Sequence, residues 1–431
     1  MSAVTPSINL ASDALLPQRD LLLDAKRVAR LLASQLGTSG PLAIDSCERL
    51  RTKYRIGDSL RVLHSIRTGG SDFIVAARAF PEGRSKRAYE RALVGTINCG
   101  PLRPVMHAAE LETVFWTFPN DRKLSRLQSL SSIPKELGQL FVPAWTRSRV
   151  VAYAPEKCAT AQCLDERLNV LAYAKIYEGN DGQRMFGVYN SLRRSLSSVA
   201  GYLHLPRAIA YVEADRMLLL EPVEGERIAD LQVPNLLYGY ERLGAALAML
   251  HGLPLPEGLP LFKRLKVKRL QQAARIICQA RPDIQREAQD LASELTARRE
   301  SPAEPPVCLH GDVHPKNAVL RSDRLTLIDL DQAGVGAPAA DLGSLLASLT
   351  YNRLIGLLSP AVAHELAGAF LKGYSSVREL PEQTSLRWHT AAALLAERAL
   401  RAVNRIRPEG LGCLSELLIE ANNILRSGGK G

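Results

Sequence analysis

The stretch from Val307 to Asp331 constrains the fold more than any other part of this sequence. Three short apolar runs, Val307–Leu309, Ala318–Leu320 and Leu325–Leu330, read as strands. Between the first two lies His310-Gly-Asp-Val-His-Pro-Lys-Asn317, and Ser322-Asp323 turns the second run into the third. A polar loop held at both ends by strands is a rigid platform for positioned chemistry. It presents a carboxylate at Asp312 and an amide oxygen at Asn317, and the third run ends in a second carboxylate, Asp329. Such oxygens are hard donors that suit Mg²⁺, an ion that keeps waters and takes only one or two protein carboxylates beside substrate phosphates. Asp312 is then left to orient a nucleophile.

At 431 residues the chain exceeds one ordinary core, so two or three domains are expected. A 46% hydrophobic and 23% charged composition fits a soluble globular protein. No apolar run nears the roughly 18 residues that span a bilayer. The start carries Asp13, Asp20 and Asp24 and no basic segment followed by an apolar block, so no signal peptide is expected. Seven scattered Cys then read as reduced thiols and a cytoplasmic location. Cys158 and Cys163 are close, but no second pair completes a zinc set. The net charge of +11 is concentrated early: residues 1–150 hold 22 Lys and Arg against 13 Asp and Glu. This excess reads as a solvated basic face, with an anionic partner as the alternative. The run Lys263–Arg269 lacks interleaved aromatics, so nucleic acid is an unsuited partner.

Residues 18–37 have leucines at helical spacing and read as one amphipathic helix. Residues 59–80 read as two strands joined by Thr68-Gly-Gly-Ser-Asp72, and residues 158–177 read as a second hairpin. Each hairpin ends in an apolar run holding one basic residue, Arg78 in the first and Lys175 in the second. The pair reads as a degenerate internal repeat, with coincidence as the alternative. A helix over about 183–199, two strands in Ala208–Glu221, a hinge at Pro222–Gly225 and a helix ending at Gly252 follow. The remainder is mostly helical.

An Asp beside a hydroxyl, with an Asn and a later Asp on metal, is the parts list of a kinase site. His310-Gly-Asp-Val-His-Pro-Lys-Asn317, Leu327-Ile-Asp-Leu-Asp331, Asp341-Leu-Gly343 and Leu243–Gly252 together resemble the aminoglycoside phosphotransferase and choline kinase-like superfamily. Residues 1–150 lie outside that pattern; with Trp116-Thr-Phe-Pro-Asn120-Asp121 they resemble the N-terminal cap of maltokinase-type sugar kinases. The resemblance implies an α+β, two-lobed protein-kinase-like fold with an additional N-terminal cap. Residues 1–150 would be the cap, 151–222 the nucleotide lobe and 223–431 a mostly helical lobe with the catalytic loop. It also implies Asp312 as catalytic base, Asn317 and Asp329 as Mg²⁺ ligands, and Lys175 on the α- and β-phosphates. Glu221 and Val223 would flank a hinge that meets adenine through backbone groups. Asp341 would cap its helix and brace the catalytic loop. His310 reads as a structural hydrogen-bonder, while His314 and Asp331 stay open between contact and structure.

The implied reaction is magnesium-dependent transfer from ATP, with GTP open, to a hydroxyl of a small molecule. A sugar or amino-sugar is the first choice because of the cap. An aminoglycoside-type antibiotic kinase and a catalytically weak kinase-like binding protein are the alternatives. A protein kinase has little room, since only twelve residues separate Asp329 from Asp341 and no Ala-Pro-Glu follows. The sequence also departs from the pattern. Ala154–Cys158 contains no glycine to cover phosphates. The 183–199 helix has no Glu to pair Lys175, and Glu178 is the nearest carboxylate. If the repeat holds, Arg78 takes the place of Lys175 without holding a phosphate.

Overall fold

The computed structural model describes residues 10–131, 133–197, 201–298 and 304–427. Two compact units divide the chain. One comprises Met1–Gln183, Ile209–Pro222 and Asn404–Ile406; the other comprises Arg184–Ala208, Val223–Val403 and Arg407–Gly431. The architecture is α+β, as expected, with an additional N-terminal α+β region. The single helix expected over 18–37 is instead two, Arg19–Leu23 and Ala25–Gln35. Asp24 breaks it by leaving the helical region (φ −87°, ψ 104°), and its carboxylate caps the second helix by accepting from the Lys26 and Arg27 N–H groups. Leucine periodicity runs through the break and hides it. The helix expected over 183–199 is Asp181–Ser197, and residues 198–199 lie outside the described residues.

The first unit is built on two five-stranded antiparallel sheets. One holds β1 (Ser46–Arg55), β2 (Ser59–Thr68), β3 (Ser71–Ala79), β4 (Val105–Ala108) and β5 (Thr113–Thr117). The other holds β6 (Arg147–Ala154), β7 (Cys158–Leu164), β8 (Val170–Tyr177), β9 (Ala208–Val212) and β10 (Met217–Leu220). The spatial orders are β1-β2-β3-β5-β4 and β6-β7-β8-β10-β9, so the topology is the same. A bulge interrupts the first strand of each, between Arg49 and Arg51 and between Val150 and Ala152. A single 3₁₀ turn joins the last two strands of each and ends on a left-handed residue, Glu112 in one and Arg216 in the other. In register, Arg78 pairs with Arg61 and Val114 across its two neighbours, as Lys175 pairs with Thr160 and Leu218. One buried core joins both sheets, from Leu63, Ala76 and Trp116 to Ala161, Ala174 and Leu219. Burial of this shared apolar surface drives the association of the two sheets.

The same alignment sets Glu156 in the β6–β7 turn against Gly57 in the β1–β2 turn. Both are left-handed, at φ 61° and 69°. Glycine adopts that conformation freely, whereas glutamate needs support. The support comes from the N-terminal sheet and the loop after it. The Glu156 N–H donates to Asp121 Oδ2 at 2.8 Å, and the Tyr153 hydroxyl donates to the same oxygen at 2.6 Å. The fully buried Glu156 carboxylate is ion-paired with Arg61 at 2.8 Å, with Arg78, and with Arg122 at 2.7 Å. Arg78, in the register position of Lys175, therefore holds a carboxylate of the neighbouring sheet.

The second unit is mainly helical. Its helices Asn235–Gly252 and Pro360–Ser375 pack together, with Leu243, Leu247, Leu366 and Phe370 buried. A strand pair and a short return strand carry the loop described below. No described helix is long and apolar enough to cross a membrane.

Burial alone would raise the Glu156 pKa, but Arg61, Arg78 and Arg122 outweigh it and hold the group below its ordinary value. A depressed carboxylate stabilises the fold above its unfolded pKa of about 4.3, and this stabilisation is lost as pH falls through the lower folded-state value. Glu156→Gln leaves three guanidiniums crowded without their counter-ion. It is expected to cost about 3–5 kcal/mol, read as a lowered urea midpoint at pH 7. Its stability should also vary less with pH than the parent's below about pH 4.3. An unchanged midpoint would refute the clamp.

Candidate active site

β11 (Val307–Leu309) is buried and pairs with the short strand Gly334–Gly336. β12 (Ala318–Arg321) and β13 (Arg324–Leu327) form the antiparallel hairpin expected around Ser322-Asp323. The loop His310–Asn317 thus leaves one strand and enters another. After β13 the chain passes through Asp329, a single turn at Leu330–Gln332 and Gly334–Gly336 into the helix Ala339–Leu354.

That helix returns Asp341 to the loop. Asp341 Oδ2 accepts the His310 N–H at 2.7 Å, and Oδ1 accepts the Gly311 N–H at 2.9 Å. His251 Nε2 stands 3.3 Å from Oδ2, and its Nδ1 meets the Tyr374 hydroxyl at 2.9 Å. Gly311 has φ 77°, and a Cβ there would fall 2.0 Å from the Gln332 carbonyl oxygen, so only glycine fits. The bracing role read for Asp341 is what the geometry provides; the capping role is not, because the helix begins at Ala339 with Pro338 as its N-cap and Asp341 lies inside the first turn, its carboxylate turned to the loop. His310 is buried and structural: its Nδ1 accepts the Asp312 N–H at 3.3 Å, so Nε2 carries the proton donated to the Ile328 carbonyl at 3.0 Å.

Asp312 is left part-exposed at the loop surface. Asn317 Nδ2 donates to the Asp312 carbonyl at 3.0 Å, which leaves Oδ1 as the oxygen available to a cation. The Ile328 N–H donates to the Asn317 carbonyl at 2.9 Å, so Asp329 is the next residue beyond that tie. Asp329 is left-handed (φ 63°, ψ 59°), a conformation Asp tolerates and one that clusters at functional sites. The loop therefore brings Asp312, Asn317 and Asp329 into one neighbourhood. His314 accepts the Lys316 N–H, and burial, reinforced by Arg398, pushes its pKa down to about 4, so it is neutral at pH 7.

The other expected residues belong to different settings. Lys175 is buried on β8 in the first unit, its Nζ 5.7 Å from the Tyr177 ring centroid. Glu221 follows β10 and is half-buried, as is Val223, and the division between the units falls between Pro222 and Val223. Glu178 is engaged by Lys123 at 2.6 Å.

Residues 174–380 match the family described as the phosphotransferase enzyme family. Over that segment the chain is similar to small-molecule phosphotransferases. No curated protein sequence matches the chain. Among solved structures, a thermostable mutant of aminoglycoside phosphotransferase APH(4)-Ia is similar at 13% identity, over 68% of this chain and all of its own, with a TM-score of 0.49. A streptomycin–ATP complex of APH(2'')-IIa is similar at 16% identity over 66% of this chain and 96% of its own, with a TM-score of 0.45. A choline/ethanolamine kinase family protein from Mesorhizobium loti is similar at 15% identity over 70% of this chain and 93% of its own, with a TM-score of 0.45.

Three arginines beside the phosphotransferase loop escaped the sequence reading. Arg264 lies in the basic run Lys263–Arg269, weighed above only for nucleic acid, yet it bonds Glu397 and Gln332 and stands 3.9 Å from Asp312. Arg398 and Arg401 follow Glu397 on one continuous helical stretch, a spacing that could have drawn notice beside so many nearby apolar residues.

Asp341→Asn is the direct test of the brace. Asn has one accepting oxygen and presents an NH₂ to a backbone N–H, so a bond is lost and a clash gained, at a cost of about 1–3 kcal/mol. Turnover is expected to drop at least ten-fold while far-UV circular dichroism stays unchanged. Unaltered turnover would show that the loop does not depend on Asp341.

Proposed function

We propose that this phosphotransferase transfers the γ-phosphoryl group of ATP, with Mg²⁺, to a hydroxyl of a small molecule, with a sugar as the favoured acceptor class. The observation that carries this reading is the braced loop, which sets Asp312 beside the Asn317 and Asp329 pair. In the reaction the bond from the γ-phosphorus to the β,γ-bridging oxygen breaks. A bond from that phosphorus to the acceptor oxygen forms, ADP departs and the hydroxyl proton leaves through Asp312. An Asp is a weak base at pH 7, so its work is to orient the hydroxyl and take the proton late.

Asn317 Oδ1 and the Asp329 carboxylate fit a hydrated Mg²⁺. Among the described residues no group of three or more His, Cys, Asp or Glu forms a closed metal cage, so phosphate oxygens would have to complete the shell. When bound, the ion would neutralise charge on the transferring phosphate. Lys175 would pair the α- and β-phosphates, and backbone groups around Glu221 and Val223 would meet adenine.

Residues 1–150 are, in this reading, a cap built as a degenerate copy of the nucleotide lobe at 151–222, with the catalytic lobe at 223–431. The matching strand order, bulges and register of the two sheets support it. The motif that resembles sugar-kinase caps has packing duties: Trp116 Nε1 donates to the Tyr153 hydroxyl at 3.0 Å, and Asp121 holds the Glu156 turn. All seven Cys are free thiols, which supports a reducing, cytoplasmic setting.

Asp312→Asn is expected to keep Mg·ATP affinity and lose most turnover in an acceptor panel followed by ATP consumption. Asp329→Ala should instead abolish metal-dependent nucleotide binding by calorimetry. Near-normal turnover in the first variant would remove Asp312 from its role. Unchanged Mg·ATP affinity in the second would remove Asp329.

A further inference from the structure

The catalytic carboxylate has cationic company. Arg264 Nη1 lies 3.9 Å and Arg401 Nη2 3.8 Å from the same oxygen, Oδ1 of Asp312. Both distances are too long for hydrogen bonds, so neither guanidinium is consumed by Asp312. The side chains of Arg264, Arg401 and Asp312 are 23%, 27% and 37% accessible, so all three remain open to an incoming molecule.

Arg264 is preorganised. Its Nη1 donates to Glu397 Oε1 and its Nη2 to Gln332 Oε1, both at 2.9 Å. Glu397 is buried and fixed in turn by the Ser344 hydroxyl at 2.6 Å. It belongs to a π-helical segment, Leu394–Ala399, a geometry that recurs at functional sites. Arg398, next in that segment, donates to the Ser344 carbonyl at 3.0 Å. Burial pushes its pKa down to about 10, so it remains charged at pH 7.

The local charges favour an anion. Three guanidiniums, Arg264, Arg398 and Arg401, stand within ion-pair range of Asp312 or Glu397, while Asp341 acts on Arg264 from farther off and Asp329 is kept for the cation. His314 is neutral at pH 7 and does not alter the balance. A cationic acceptor brought to Asp312 would meet the accessible guanidiniums of Arg264 and Arg401 beside it. An anionic acceptor would otherwise be repelled by Asp312 and by the triphosphate, and the guanidiniums offset that repulsion. Planar guanidinium forks also match carboxylate and phosphate oxygens in a two-point geometry that ammonium groups lack.

We propose that Arg264 and Arg401 determine acceptor specificity by receiving an anionic group, a carboxylate or a phosphate monoester, on the molecule whose hydroxyl is brought to Asp312. The inference rests on the phosphotransferase reading above and adds the charge of the acceptor. It sets aside amino-sugars and aminoglycosides as the natural substrates.

The test is ATP consumption by the full chain with a neutral hexose, its aldonic acid, its uronic acid, its monophosphate and its 2-amino derivative. At least one anionic form should exceed the neutral parent ten-fold or more in kcat/KM, and the amino form should fall below it. Which anion leads distinguishes carboxylate from phosphate. Arg401→Met should lower the anionic preference about ten-fold through KM, and Arg401→Lys should restore part of it. Unchanged melting of both variants guards against a folding defect. A neutral or amino-sugar as best acceptor, or a preference untouched by Arg401→Met, would overturn the inference and leave the phosphotransferase reading intact. If no sugar is phosphorylated, binding of inorganic phosphate and of malonate to the Mg·ADP-loaded protein is measured by calorimetry. Binding that is lost in Arg401→Met supports the site, and no binding by the parent overturns it. Failure to bind Mg·ATP at all would sink the phosphotransferase reading and this inference with it.

Discussion

Everything in the loop His310–Asn317 hangs on one buried carboxylate. Asp341, thirty residues beyond Gly311 in the first turn of a helix, accepts two successive backbone N–H groups, those of His310 and Gly311. Donors to an ionised acceptor contribute about 1.5–3 kcal/mol each, and here they also cover a charge that burial would otherwise make costly. His251 and Tyr374 extend the arrangement into the helices Asn235–Gly252 and Pro360–Ser375. The position of Asp312 is thereby set by three helices, although it sits on a loop. His310 completes the frame by tying Asp312 to the Ile328 carbonyl, next to Asp329.

This part of the protein was legible because it is local. Strand, loop, strand, turn and strand follow one another between Val307 and Leu327, the last strand stopping three residues short of the apolar run that announced it. Asp312, Asn317 and Asp329 are separated by few residues, so hairpin geometry alone brings them near each other. Arg264 and Arg401 are more than a hundred residues apart and meet at Asp312 only through helix packing. No spacing announces such a meeting. A basic run beside a helix start looks the same in sequence whether it faces solvent or a carboxylate.

The break at Asp24 taught a different lesson. Its capping signal was present, but an unbroken leucine pattern masked it, because two short helices can continue the same apolar face. The glycine-free turn at Ala154–Cys158 was legible only as an absence. What fills it became visible when the partner sheet was in place. A left-handed glutamate is unfavourable alone and tolerable when its N–H and both carboxylate oxygens are bound.

The chemistry of that turn explains why register position 78 carries arginine and position 175 lysine. Burial lowers the Arg78 pKa from its ordinary value, with Glu156 opposing, yet a guanidinium starts so high that it stays charged. An ammonium desolvated to the same degree loses its proton more readily. A structural ion pair that must persist through folding therefore favours arginine. Three guanidiniums around one carboxylate also keep a net charge of +2, so part of the basic excess of residues 1–150 is internal framework rather than free surface. A carboxylate offers the same acceptor oxygens that a phosphate would. With Glu156 lodged against Arg61, Arg78 and Arg122, an anion entering this arginine cluster would first have to displace a carboxylate of the protein's own chain.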